Sequence, residues 1–147
     1  MDMKYILGIL VVILLIGNIF FIYEMQFSNH SGSAIIGDKS FELPNNYSFN
    51  KLEASNGVNT IFILKMDNNT IDSGINWYKN KYSDNFTISV SEFNSKFPSK
   101  KTVATNNNES IIKYWFEIDN DIYQIQVFSN DKNKFDTIAR NMINSMS

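Results

Sequence analysis

Between Tyr5 and Tyr23 the chain carries no charged side chain, and Ile, Leu, Val and Phe dominate the run. As an α-helix rising about 1.5 Å per residue, a stretch of about 19 residues reaches roughly 28 Å, enough to cross a hydrocarbon core. Gly17 and Asn18 are tolerable there, because a helix satisfies its own backbone and one amide costs far less than a charge. Tyr5 and Tyr23 stand at the two ends, where amphipathic rings favour the headgroup level, with Leu10, Leu14 and Phe20 in the lipid between them. Lys4 precedes the run and Glu24 follows it, so the positive-inside bias favours a cytoplasmic N-terminus. A cleaved signal peptide fits less well: its apolar core is normally about 7 to 15 residues with a small-x-small site close behind. Here Ile19 to Met25 is bulky throughout.

The organisation expected from this run is a cytoplasmic stretch 1–4, a transmembrane helix 5–23, a flexible linker 24–34 and an extracytoplasmic α+β domain 35–147. Such a protein is a single-pass, signal-anchored cell-membrane protein with the lipid bilayer as one partner. The linker holds Ser28, Asn29, Ser31, Gly32 and Ser33, a composition suited to spacing. His30, the sole histidine, lies within it and reads as solvated.

Beyond the run, aromatic residues at 14% and charged residues at 19% give a chain that can bury enough apolar surface to fold. Net charge is −2, and the lysines are scattered among carboxylates, so nucleic acid is excluded as a partner. The absence of cysteine removes disulfides, thiolate metal sites and thiol catalysis. With His30 alone in the linker, a serine nucleophile also lacks its usual base. No catalytic group, cofactor or metal is expected. The acidic turn Asp119-Asn120-Asp121 misses the ligand spacing of a calcium loop, and Glu117 with Asp119 or Asp121 reads as a solvated hairpin flank. Sequons at Asn29, Asn46, Asn68, Asn85 and Asn108 permit glycosylation, at a frequency close to chance for so Asn-rich a chain.

Periodicity predicts the elements. A strand begins at Ile35 and runs through Phe41 and Leu43 to the Pro44-Asn45-Asn46 stop, with Tyr47 and Phe49 extended after it. Asn56-Gly57 predicts a hairpin into an interior strand, Val58 to Met66. Asp67 to Thr70 can cap a helix whose stripe is Ile71, Ile75, Tyr78 and Tyr82. Phe86, Ile88 and Val90 alternate as a half-buried strand. Strands near 101–105, 110–118 and 122–128 form a three-strand meander, and Phe135, Ile138, Ala139, Met142, Ile143 and Met146 mark a last helix capped by Asn130 or Asp131. The fold class expected is α+β, an antiparallel β-sheet of six or seven strands sandwiched by helices behind the transmembrane helix.

The opening GDKSFELPNNYSF resembles the F-x-hydrophobic-P-x-x-aromatic start of PsbP/Mog1-like domains, and the closing KFDTIARNMINSM resembles their C-terminal helix. The resemblance spans about residues 35 to 147 and rests on fold-supporting positions. It implies an α/β/α sandwich and a binding or assembly role, with membrane-tethered versions looking like archaeal or bacterial envelope proteins. No functional residue is carried over.

Trp77, Trp115 and Lys113 are the candidate contact residues for a protein, glycan or small ligand. If Ile112, Tyr114, Phe116 and Ile118 face one helix layer, Lys113, Trp115 and Glu117 fall on the other face of that strand. Trp77 lies off the stripe of its helix. The competing reading places both tryptophans at core margins, where large rings commonly pack. The function expected is a membrane-anchored binding or assembly module without catalysis; a structural subunit of an envelope complex and a carboxylate-dependent enzyme are the alternatives.

Overall fold

The computed structural model describes residues 32–50, 52–67 and 69–147. Among these residues nine strands and two helices follow in the order β1 (Ser33–Ile36), β2 (Lys39–Glu42), β3 (Ser48–Asn50), β4 (Glu53–Ser55), β5 (Thr60–Met66), α1 (Ile71–Tyr82), β6 (Thr87–Glu92), β7 (Ser99–Thr105), β8 (Ser110–Ile118), β9 (Asp121–Phe128) and α2 (Asp136–Ser145). Strands β3 to β9 make one seven-stranded sheet in the order β3-β4-β5-β9-β8-β7-β6, every pair antiparallel. β1 and β2 form a separate two-stranded ribbon.

Alternation along β8 divides the core. Ile112, Tyr114 and Phe116 point to one face, where they pack with Ile63, Ile125 and Val127 beneath Ala139, Met142 and Ile143 of α2. The ribbon adds Ala34, Ile36 and Phe41 to this cluster. Trp115 points the other way and packs with Ala104, Ile122 and the Ile71, Ile75 and Tyr78 stripe of α1. The helices therefore cover opposite faces, because a period of two on a central strand supplies each with its own apolar floor.

Local chemistry fixes the ends. Thr70 Oγ1 accepts the Ser73 N–H at 3.0 Å while Ser73 Oγ accepts the Thr70 N–H at 3.1 Å, a reciprocal cap with serine in the usual Glu position. Asp119 and Asn120 adopt φ of 52° and 68°, the left-handed pair that a two-residue hairpin requires between β8 and β9. In the β4–β5 loop, Asn56 Oδ1 accepts the N–H groups of Val58 and Asn59, and Gly57 takes φ 86°. The last residue is clipped to the ribbon: Ser40 and Ser147 exchange both backbone hydrogen bonds at 3.0 Å.

Several expectations are corrected. Among the described residues the fold is mostly antiparallel sheet, seven strands plus a two-stranded ribbon, with two short helices and no transmembrane helix. Among the described residues no helix is long and apolar enough to cross a membrane. At 12 and 10 residues, α1 and α2 reach only about 18 and 15 Å and keep a polar side. The run 5–23, with Tyr5, Leu10, Leu14, Phe20 and Tyr23, lies outside the described residues, as do residues 1–4 and the linker up to residue 31. The single-pass, signal-anchor and cell-membrane expectations thus lose their footing and are carried no further. Of the proposed linker, Ser33 and Ala34 already belong to β1. The strand expected from Ile35 to Leu43 is instead a hairpin, since Gly37 at φ 62° reverses the chain. Asn130 and Asp131 do not cap α2. Its N-cap position is Phe135 without a side-chain bond, and Asp131 Oδ1 accepts the Asn133 N–H in the preceding turn.

Candidate functional site

The face under α1 is read most easily as rows across the sheet. One row runs Thr102, Lys113, Gln126, Phe62, Glu53; the next runs Lys100, Trp115, Gln124, Leu64. A third pairs Ala104 with Ile111 and Ile111 with Phe128. One twelve-residue helix is too narrow to roof all of this. Asp72 pairs with Lys100 of β7 at 2.8 Å, so that flank of α1 faces β7. Lys81, about 180° round the helix from Asp72, and Trp77, about 140° round, fall on the flank turned away from β7. Lys113, Gln126, Phe62 and Phe128 share the α1 face of the sheet, and Lys81 acts on Lys113 electrostatically; this stretch, with Trp77 beside Lys81 on the helix, is the shelf.

Apolar groups on the shelf are open to solvent. Trp77 is 48% exposed and Phe128 51% exposed, and the Phe128 ring meets Phe62 edge-on at 6.0 Å. A shallow depression of about 360 Å³ continues beyond Phe62 between Asn50, Leu52 and Glu53. Lys81 Nζ lies 4.7 Å from the Trp77 ring centroid and 5.4 Å from that of Tyr82.

Lys113 is the electrostatic peculiarity. Its Nζ sits 3.8 Å from the Tyr78 ring centroid and 5.8 Å from that of Trp115, half-buried between helix and sheet. Burial, and secondarily the charge of Lys81, lowers its pKa to about 8. The ring face of Tyr78 acts in the opposite sense, since a π surface favours the ammonium form. Among the described residues the ion-paired lysines are Lys39, Lys65, Lys100 and Lys101, and Lys113 is not one of them. Deeper in the same face, Gln124 Nε2 and Tyr78 Oη are buried without a hydrogen-bond partner. Burial also pushes the Tyr78 hydroxyl up to about 12.

The three residues singled out from sequence thus separate. Trp115 is fully buried and its indole N–H donates to Thr102 Oγ1 at 3.0 Å, so it serves as floor beneath α1. Trp77 and Lys113 border the shelf. Of the acidic group, Glu117 pairs in register with Ile122 on the α1 face, whereas Asp121 pairs with Ile118 on the other. Asp121 contacts Lys65 at 3.2 Å and Asp119 contacts Lys39. These carboxylates do not converge, and no metal-binding cluster occurs among the described residues.

Sequence reasoning missed a second polar centre, on the α2 face. Lys101 Nζ donates to Asp136 Oδ1 at 2.7 Å and to the Lys132 carbonyl at 2.7 Å, while the Tyr114 hydroxyl donates to the same Asp136 oxygen at 2.7 Å. Burial, then the bond to Asp136, drives the Tyr114 pKa far upward. The signal was present: alternation puts Lys101 in phase with Val103 and directly opposite Tyr114, on the core side of β7. The Lys101 ammonium and the Tyr114 hydroxyl both find acceptors within the protein, so this centre ties α2 to the sheet. Comparison with known proteins finds no matching family model and no matching curated protein.

Proposed function

We propose that this chain is a non-catalytic binding module of the PsbP/Mog1-like kind, whose ligand lies on the shelf beside α1 and brings an anionic group to Lys113. The observation that carries the reading is the Lys113 ammonium itself, half-buried beside a second lysine and without a carboxylate partner among the described residues. An uncompensated cation held in this way costs stability, and such costs are tolerated where a ligand supplies the missing charge. Trp77, Phe62 and Phe128 offer rings for an apolar or aromatic portion of the same ligand, the usual composition of a recognition surface. The proposed kinship rests on the Phe41, Pro44 and Tyr47 opening and on the α2 closing segment.

Phenylacetate is a minimal probe, with phenethylamine as its charge-reversed control. In titrations of the isotope-labelled full chain, phenylacetate should shift the amides of Lys113, Gln126, Phe62 and Phe128 and change Trp77 fluorescence. Lys113→Met should weaken it about tenfold, the value of one charge-assisted contact. Equal binding of the amine, or undiminished binding by the variant, would remove the basis for the proposal.

A further inference from the structure

At the far end of the sheet from the Phe62 shelf, β6 is hydrogen-bonded to β7 on one side and, among the described residues, to no strand on the other. The Phe93 N–H donates to the Ser99 carbonyl at 3.2 Å, continuing the β6–β7 register by one residue. By the two-residue alternation of antiparallel pairing, Thr87, Ser89 and Ser91 therefore spend their backbone groups on β7, and Ile88, Val90 and Glu92 aim theirs outward. Sheet edges are normally guarded by proline, lysine, a bulge or a covering segment. From Thr87 to Ser91 there is no proline and no charge, and the pairing with β7 runs unbroken over six residues. The other edge, β3, is only three residues long.

We propose that β6 pairs with β6 of a second copy of this chain, antiparallel about a two-fold axis through Ser89. An axis normal to the sheet keeps each face on its own side, so residues that meet across it must share a face. Ile88 and Val90, whose backbone groups pair with no strand among the described residues, then exchange N–H···O bonds with the partner's Val90 and the partner's Ile88. Thr87 falls opposite Ser91, Ser89 opposite itself, and Glu92 faces no like charge. Val90, 40% exposed in the single chain, gains an aliphatic neighbour on the α1 face beside Ile88 and Phe86, which already pack there. Moving the axis to Val90 would instead set Ile88 against Glu92. A second copy is the fitting occupant because the sequence of this edge is complementary to itself in one register and free of charge conflict.

The cysteine-free sequence allows a register-specific test. Ser89 and its symmetry mate form a non-hydrogen-bonded pair, with Cα atoms about 4.5 Å apart, close enough for a disulfide. Ser91 and its own mate lie about 13 Å apart, four residues along the strand. Mild oxidation of the full chain should convert Ser89→Cys to a covalent dimer and leave Ser91→Cys monomeric. Sedimentation should give twice the monomer mass for the unaltered chain. Val90→Pro, which deletes an outward N–H and no β7 bond, should restore the single mass with an unchanged circular-dichroism spectrum. Equal crosslinking at the two positions, or a single-chain mass for the unaltered protein at every concentration, would refute the pairing; if Val90→Pro fails to fold, the cysteine pair still decides.

Discussion

The two faces of the sheet are finished differently. Beneath α2 the floor is closed: the β1–β2 ribbon, Phe135 and the helix cover it, and the buried cation Lys101 has acceptors from three residues. Beneath α1 the floor is half closed, with Trp115 sealed under the helix and Lys113, Gln126, Phe62 and Phe128 left beside it. Both faces bury a lysine near an aromatic ring, and only one of the two lysines is answered by a carboxylate. Removing one partner of a buried charge pair is costly, whereas a half-buried cation without a partner already weighs against the folded state.

The contrast is sharpest in the lysines themselves. Lys101→Met should be the most damaging change, about 3–5 kcal/mol by chemical denaturation, because it leaves the partly buried Asp136 carboxylate without its cationic partner, with the Tyr114 hydroxyl as its remaining donor. A loss under about 1 kcal/mol would show the α2 face to be less tightly locked than its geometry suggests. Next come paired truncations, one per face. Met142→Ala should cost about 2–5 kcal/mol, with Ile75→Ala nearer the lower end, since α1 has an open flank into which its surroundings can relax. The reverse order would break the comparison.

Lys113→Met should raise stability. The lowering from 10.5 to about 8 sets the direction, and solvent screening of this half-buried group together with the Tyr78 ring reduces the gain to about 1 kcal/mol. The sign follows from linkage. A folded pKa below the unfolded one penalises the native state wherever the lysine is protonated, so the penalty is full below about pH 8 and fades as pH rises to 10.5. The melting-temperature gain of the variant should therefore be largest at neutral pH and shrink toward pH 10. A gain that ignores pH would assign it to packing. Similarly small is the effect of Thr70→Ala, about 1 kcal/mol from loss of the α1 cap, readable as faster amide exchange in the first turn of that helix.

Much of the architecture was legible in short segments. The Ile71, Ile75, Tyr78, Tyr82 stripe, the alternation of β8 and the Asp119-Asn120 turn each carry their own period or backbone requirement. The Gly37 hairpin was not read, because Ile35, Phe41 and Leu43 keep an apolar phase on both sides of the turn and so imitate one strand. The start of α2 was misplaced for a related reason: Asn130 and Asp131 are good capping residues that organise the preceding loop. The apolar run 5–23 dominated the reading of location, and nothing in the described helices supports that reading. For the candidate site, alternation correctly put Lys113 and Trp115 on one face. It could not separate the buried ring from the half-buried amine, since that depends on where the edge of α1 falls.

By itself the sequence determined periodicities, turns and the split of β8 into two faces, because these follow from dihedral preferences and the spacing of apolar side chains along one stretch of chain. Tertiary structure alone decided that Lys101 meets Asp136, that Lys113 meets no carboxylate among the described residues, and which half of a sheet a single short helix leaves open. Those outcomes depend on contacts between residues tens of positions apart, and no local pattern encodes such distances.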